Sequence, residues 1–188
     1  MTSSSSGRPL RADAVRNRAK VLAAAEEVFA AQGTSAPTEE VARAAGVGIG
    51  TVFRHFPTKE SLLEAVLVAL LERLAAEAEG LRSADDAGEA FFGFFARVVA
   101  RAATKRAVTE ALAEAGVDAQ AATGRAGPDL KAALGALLER AQEAGAVRSD
   151  VGPDEVMALL AGMSYAAGRA GAHEDVLKFA FDGLRPRP

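Results

Sequence analysis

The chain has 188 residues, of which 49% are hydrophobic and 25% charged, and its formal net charge at pH 7 is −3. This composition predicts a soluble globular protein with one large or two small hydrophobic cores. The absence of Cys excludes a disulfide framework, a thiol nucleophile and a thiolate metal site, and it permits a reducing compartment.

Positive charge is concentrated at the amino terminus. The first 60 residues hold eight Lys or Arg and six Asp or Glu, whereas the remainder holds fourteen and nineteen. Within the first twenty residues, five basic side chains accompany only one acidic residue, Asp13. We interpret this segment as a phosphate-binding arm, with residues 1–12 disordered and Arg11 and Arg16 contacting nucleic acid. A solvated tail without a partner is the alternative.

The first predicted helix runs from about Asp13 to Gln32. Its apolar side chains recur at helical intervals, and Gly33 follows its end. One face of this helix should therefore pack on the elements that follow. The spaced residues are Val21, Leu22, Ala25, Val28 and Phe29.

Two short helices separated by a sharp turn are predicted next. Gly46 interrupts the apolar spacing at a position suited to the left-handed residue that ends a helix. Thr38 can cap the first of these helices, or Pro37 can occupy its first turn. The apolar positions are Val41, Ala42 and Ala45 in the first short helix, and Val52, Phe53 and Phe56 in the second.

The second short helix should present a polar face. Thr51, Arg54 and His55 cannot all share its apolar stripe, so a hydroxyl, a guanidinium and an imidazole are predicted to project outward. Gly48 and Gly50 leave the start of the helix bare, which allows a close approach of backbone to another surface. Such a face suits the major groove of DNA.

A long helix begins at Thr58, after Pro57. Leucines recur along one of its faces from Leu62 to Leu74. Charged residues interrupt its apolar stretch, and the first ten residues of the chain lack the apolar core of a signal peptide. Neither a membrane span nor secretion is indicated, and we expect a cytoplasmic protein.

The remainder of the chain also has helical spacing. The Phe-rich segment Ala90–Ala103 should be buried on more than one side. No segment has the alternation of a β-strand, so the predicted fold class is all-α. Besides that segment, we predict a helical stretch over Thr104–Gly116, a loop or weak helix over Val117–Gly127, helices opened by Pro128 and Pro153, and a last helix from about His173 to Leu184.

No constellation for catalysis or metal binding is indicated. The chain lacks Cys and a Gly-rich phosphate loop, and it has only two His residues. His173 stands beside Glu174 and Asp175, but adjacent residues on a helix point in different directions. We therefore predict no enzymatic activity, no cofactor and no metal.

The run GVGIGTVFRHFPTKESLLEAV, from Gly46 to Val66, resembles the TetR family of transcriptional regulators, and the similarity covers roughly residues 15–70. It implies an N-terminal three-helix helix-turn-helix DNA-binding domain over 13–60 and a C-terminal helical ligand-binding and dimerisation domain over 61–188. It also implies a repressor of a palindromic operator that a small-molecule effector releases. A helical protein–protein interaction module without DNA binding is the alternative, but it leaves the basic arm unexplained.

The resemblance implies a set of DNA contacts on and around the second short helix. Arg54 would bind guanine bidentately or hold a phosphate, and the start of the helix would meet bases and phosphates. The implied contacts are Thr38, Gly48, Ile49, Gly50, Thr51, Arg54, His55 and Lys59.

Three residues require separate interpretation. Phe53 stands where the family usually has a Tyr whose hydroxyl reaches a phosphate, so that contact is lost and the ring is expected mainly in the core. Phe53→Ala would then lower the free energy of unfolding by about 3 to 5 kcal/mol. Glu39 and Glu40 would repel phosphate, so we expect them to point away from DNA and to stabilise the helix dipole.

The resemblance further implies a homodimer in which residues 129–144 and 154–169 of each subunit form a four-helix bundle. Alternatively, both helices face only their own subunit. An effector pocket should take a small apolar or aromatic molecule, with Thr104 as one polar anchor, although an aromatic stripe at this spacing is also typical of a core. The expected pocket residues are Phe91, Phe94, Phe95, Val98, Leu112, Met157, Tyr165 and Arg169.

Overall fold

A computed structural model describes residues 7–124, 126–170 and 173–186, with side chains over 12–124, 126–163 and 175–186. These residues form helices and turns without a β-strand, which confirms the all-α fold class. Within these ranges, no helix carries a stretch apolar enough to span a bilayer. The helices are α1 (Gly7–Gln32), α2 (Thr38–Ala45), α3 (Ile49–His55), α4 (Lys59–Leu81), α5 (Ala87–Glu114), α6 (Ala119–Thr123), α7 (Ala126–Glu143), α8 (Pro153–Ala170) and α9 (His173–Leu184).

The helices divide into two compact units. The first unit contains Met1–Ala69 and Ala107–Ala122, and the second contains Leu70–Arg106 and Thr123–Pro188. Helices α4 and α5 therefore each contribute residues to both units. The domain predicted over residues 13–60 lies within the first unit, together with the start of α4 and the end of α5.

The core of the first unit forms around α1. Val21 and Phe29 are buried, as their helical spacing predicts, and they belong to one apolar cluster with residues of α2, α3 and α4. Val108 and Leu112, near the end of α5, belong to the same cluster. The hydrophobic effect thus holds the short helices α2 and α3 in place, since helices of this length are marginal on their own.

The turn between α2 and α3 confirms the predicted role of Gly46. Its φ is 66°, in the left-handed region where a Cβ is unfavourable. The Gly46 N–H donates to the Arg43 carbonyl at 3.1 Å, and the Val47 N–H donates to the Ala42 carbonyl at 3.0 Å. This pair of bonds is a Schellman motif, which ends α2 sharply and sets the direction of α3.

Reciprocal capping fixes the start of α4. The Ser61 N–H donates to the Thr58 hydroxyl oxygen, and the Thr58 N–H donates to the Ser61 hydroxyl oxygen, both at 3.1 Å. These bonds satisfy backbone donors that have no partner inside the helix. The predicted start of this helix at Thr58 is therefore confirmed. Only three residues, Phe56 to Thr58, separate the end of α3 from the beginning of α4.

In the second unit, aromatic side chains of α5 form the core. Phe91 and Phe95 are wholly buried, and Phe95 meets Phe181 of α9 with ring centroids 5.7 Å apart. Phe92 is half-buried, also against Phe181, at 4.8 Å. Because covered rings lie on more than one side of α5, the predicted multi-sided burial of this helix is confirmed.

Several helix boundaries differ from the predicted ones. Helix α1 begins at Gly7 rather than near Asp13, and α5 runs unbroken through the two segments predicted around Thr104. Helix α7 begins at Ala126, so Pro128 lies within its first turn instead of opening it. Proline is tolerated there because the first N–H groups of a helix have no intrahelical acceptor, so its exact offset could not be read from the sequence.

Candidate nucleic-acid interface

Helix α3 has one buried face and one open face. Val52 is 0% exposed and Phe56 follows the helix into the core, so this side is turned inward. Successive residues are rotated by about 100°, which divides the rest of the helix into three rows. The rows are Ile49 with Phe53, Gly50 with Arg54, and Thr51 with His55.

The polar rows match the prediction. Gly50 and Arg54 are exposed, and Thr51 and His55 are half-buried at the side of the helix. Helix α3 contains no acidic residue. It therefore offers a guanidinium, a hydroxyl and an imidazole to a neighbouring surface without a carboxylate among them.

Phe53 is not in the core, and this prediction was wrong. Its side chain is 45% exposed, in the same row as Ile49, which is 37% exposed. The physical reason is the short arc of α3 that the first unit covers. Val52 and Phe56 occupy that arc, and Phe53 is rotated out of it by one residue.

Gly48 and Gly50 border open space. A Cβ built at either position has no heavy atom within 4 Å, and neither residue has a positive φ. Glycine inside a helix costs about 1 kcal/mol relative to alanine. Neither packing nor backbone conformation within the described residues accounts for Gly50.

Lys59 and Thr38 occupy the edges of this surface. The Lys59 ammonium donates to the Ala36 carbonyl at 2.9 Å, which ties the start of α4 to the loop before α2. An ammonium has three N–H donors, so this bond leaves capacity for a phosphate. Thr38 is the first residue of α2, and Pro37 is its N-cap, without a side-chain capping bond. The N-cap is therefore Pro37 rather than Thr38, and the first helical residue is Thr38 rather than Pro37.

Acidic residues nearby are engaged at helix starts. Glu40 forms an ion pair with Arg43 on α2, while Glu39 is exposed in the first turn. At the start of α4, hydrogen bonds from the backbone N–H of Glu60 and from Thr58 lower the pKa of the Glu60 carboxyl. This carboxylate therefore stays charged at neutral pH near the positive end of the α4 dipole.

The nucleic-acid contacts predicted for Arg11 and Arg16 of the basic arm stay a prediction. Arg16 forms an ion pair with Asp13, and the side chain of Arg11 lies outside the described residues. The Arg18 guanidinium instead lies over the Phe56 ring, 5.3 Å from its centroid, beside the end of α3. Arg18 is one of the five basic residues of the predicted arm, but its contact with the Phe56 ring was not predicted.

The structure describes the predicted effector-pocket residues only in part. Phe91, Phe94 and Phe95 are wholly buried core side chains of the second unit, whereas Leu112 lies in the core of the first. Val98, Thr104 and Met157 are half-buried, and the side chains of Tyr165 and Arg169 lie outside the described residues. The rings of Phe91, Phe94 and Phe95 therefore belong to a hydrophobic core, which was the alternative interpretation of the aromatic stripe.

An open groove lies elsewhere in the second unit. It has a volume of about 390 Å³ and runs between the last turns of α4 and one side of α7. Its lining is mainly alanine, with a few charged side chains at the rim. The lining residues are Ala75, Ala76, Glu79, Arg82, Asp129, Ala132, Ala133 and Ala136.

Family models match both parts of the sequence. A model described as "Bacterial regulatory proteins, tetR family" matches residues 21–66, which contain α2 and α3. A model described as "Transcriptional regulator SbtR-like, C-terminal domain" matches residues 86–186.

Solved structures are similar over nearly the whole chain. A TetR transcription regulatory protein from Mycobacterium vanbaalenii is 43% identical with a TM-score of 0.80, covering 95% of this chain and 100% of that one. A TetR transcriptional regulator from Streptomyces coelicolor is 34% identical with a TM-score of 0.78, covering 91% and 99%.

Curated relatives are similar over a shorter stretch. The HTH-type transcriptional regulator SrpR of Pseudomonas putida is 44% identical over 63 residues, which are 33% of this chain and 30% of that protein. TtgW, an uncharacterized HTH-type regulator of the same species, is 43% identical over 63 residues, or 47% of its length. The match therefore spans less than half of these two proteins.

Proposed function

Because the chain belongs to the TetR family of transcriptional regulators, we propose that it binds a palindromic operator as a homodimer, represses transcription there and is released by a small-molecule effector. Regulators of this family are DNA-binding transcription factors without enzymatic activity, which confirms the prediction that the chain is not an enzyme.

The open face of α3 carries the DNA-binding part of this proposal. Arg54 at its centre would bind guanine bidentately or hold a phosphate, while Thr51 and His55 contact the backbone along one side. Lys59 and Arg18 would add phosphate contacts at the two edges. Gly50 lets the helix backbone approach the floor of the major groove.

Exposed small residues support dimerisation through 129–144 and 154–169. On α8, Val156 and Leu160 are buried, while Ala158, Ala161 and Gly162 form an exposed stripe on another side. Helix α7 likewise buries its leucines and exposes Ala132. In the described part of each helix, one face is buried in its own subunit, and the exposed small residues would leave a second face for a partner. Two copies would read two half-sites of a palindrome.

Two continuous helices support release by an effector. Helix α4 places Leu62 and Leu67 in the core of the first unit, and α5 places Val108 and Leu112 there, while their other halves belong to the second unit. An effector that favours a different position of α4 or α5 in the second unit would move those core residues as well. The effector is proposed to be a small apolar or aromatic molecule.

Selection of bound duplexes from a random DNA pool tests this function. We expect the selected duplexes to share an inverted repeat, and the protein to sediment with the mass of a dimer. The logarithm of its affinity for the selected duplex should fall linearly with the logarithm of salt concentration. Failure to enrich any sequence, also after refolding to remove co-purified ligand, would reject the proposal.

Arg54→Ala tests the central contact. It should weaken operator binding by about 1 to 3 kcal/mol, because a bidentate base contact or a buried phosphate contact is lost. The dimer mass should stay unchanged. Arg82→Ala, an exposed arginine of the second unit, is the matched control and should bind the operator like the parent chain.

A further inference from the structure

The outward apolar row of α3 is not explained by the stability of the chain. Within the described side chains, the exposed large hydrophobic residues are Val15, Ile49, Phe53 and Phe179, and two of these four share one seven-residue helix. Ile49 and Phe53 are four residues apart, so their side chains are neighbours on the helix surface. Together they form a small apolar edge beside Gly50 and Arg54.

This edge is continuous with the surface that we propose to bind DNA. Arg54 directly follows Phe53, and α3 has no acidic residue that would repel a phosphate backbone. The Ile49–Phe53 row lies on the side of the central row opposite to Thr51 and His55, so with α3 in the major groove it is available to base pairs while the other side contacts the backbone. The phenyl ring has no hydrogen-bonding group, so it cannot read a base edge or hold a phosphate as a hydroxyl would.

The major groove offers one apolar group, the C5-methyl of thymine. We propose that Ile49 and Phe53 form a methyl-reading edge that packs against a thymine methyl in each operator half-site. This inference rests on the proposed function and adds to it a base preference. Arg54 supplies polar recognition from the central row, and the methyl-reading edge discriminates thymine from cytosine by apolar contact.

Replacement of thymine by deoxyuridine isolates this contact, since it removes the methyl group and keeps every hydrogen-bonding atom. The selected operator is synthesised with each thymine replaced in turn, in both half-sites together, and affinity is measured by fluorescence anisotropy. We expect one position at which replacement weakens binding by about fourfold per half-site, from the burial energy of one methyl group. The other positions should show no loss.

Variants assign the effect to the edge. In Phe53→Ala, replacement at that position should change affinity by less than about twofold, because the partner of the methyl group is absent. Phe179→Ala removes a more exposed ring, in the second unit, at 77% exposure against 45%, and should retain the full loss of about fourfold per half-site. If Phe53→Ala does not fold, as judged by circular dichroism, the scan of the parent chain still decides the proposal.

The outcomes separate this inference from the function beneath it. Sequence-specific binding that is insensitive to every thymine replacement overturns the methyl-reading edge and leaves the operator proposal standing. A loss that persists in Phe53→Ala overturns it too. If Phe53→Ala without DNA has a different oligomeric mass from the parent chain, while the effect of thymine replacement on its DNA affinity is unchanged, the edge would be assigned to a protein partner. If no duplex binds specifically, both proposals fall.

Discussion

Helices α3 and α5 both combine phenylalanine with glycine, and the two regions use these residues in opposite ways. On α3, Phe53 is exposed and Gly50 borders open space. On α5, Phe94 is wholly buried, and a Cβ at Gly88 would lie 2.7 Å from the Cβ of Ala146. Residue type therefore does not decide the role.

The two helices differ in how much of their circumference the surrounding chain covers. Helix α3 has seven residues and turns one narrow face inward, so most of its surface remains available for a ligand. Helix α5 has 28 residues and is covered on more than one side. An aromatic ring is worth several kcal/mol of folding free energy in the second setting and little in the first.

The largest expected effect is that of Phe94→Ala. Removing a wholly buried ring should lower the free energy of unfolding by about 3 to 5 kcal/mol, through lost transfer energy and a residual cavity. Urea denaturation at a fixed protein concentration measures it, since the proposed dimer would make stability depend on concentration. A loss below about 1 kcal/mol would mean that this core relaxes or already contains space.

Gly88→Ala should be the next in size. The added methyl group would overlap the Cβ of Ala146, so we expect a loss of about 1 to 3 kcal/mol despite the better helix propensity of alanine. Gly80→Ala on α4, where a Cβ meets no atom within 4 Å, is the matched control and should not destabilise. Equal stability of the two variants would contradict the close packing at α5.

The elements of this fold follow from local chemistry that the sequence displays. Gly46, with the apolar residues before it, predicts where α2 ends, and Thr58 after Pro57 predicts where α4 begins. Helical spacing also identifies Val21 and Phe29 as core. The two helix boundaries are decided by interactions within a few residues along the chain, whereas the core positions follow from a repeat that the sequence displays directly.

The candidate site was less predictable because exposure depends on distant elements. Phe53 satisfies an apolar spacing, yet its neighbours in the chain do not reveal how wide an arc the first unit covers. Leu112 is far in sequence from α1 but lies in its core, which separates it from the rings of α5. Arg18 is one of five basic residues of the predicted arm, and its contact with the Phe56 ring depends on an element that lies far away in the sequence.

Gly50→Ala should have opposite effects on stability and on binding. Alanine favours the helix and meets no neighbour, so stability should rise by up to about 1 kcal/mol. Operator affinity should fall by roughly tenfold, because the methyl group would hold α3 away from the groove. Gly80→Ala again serves as control and should leave affinity unchanged. A variant with unaltered affinity would show that DNA does not approach this position closely.

Phe53→Ala should have the smallest effect on stability, at most about 1 kcal/mol, because nearly half of the ring is already in water. The same urea measurement as for Phe94→Ala makes the comparison direct, and Phe179→Ala provides the value for a still more exposed ring. A loss of the size expected for Phe94 would place the ring in a core after all and would remove the basis for a methyl-reading edge. A small loss together with weakened operator binding would mean that α3 keeps an exposed phenylalanine for its ligand, because the folded chain gains little from it.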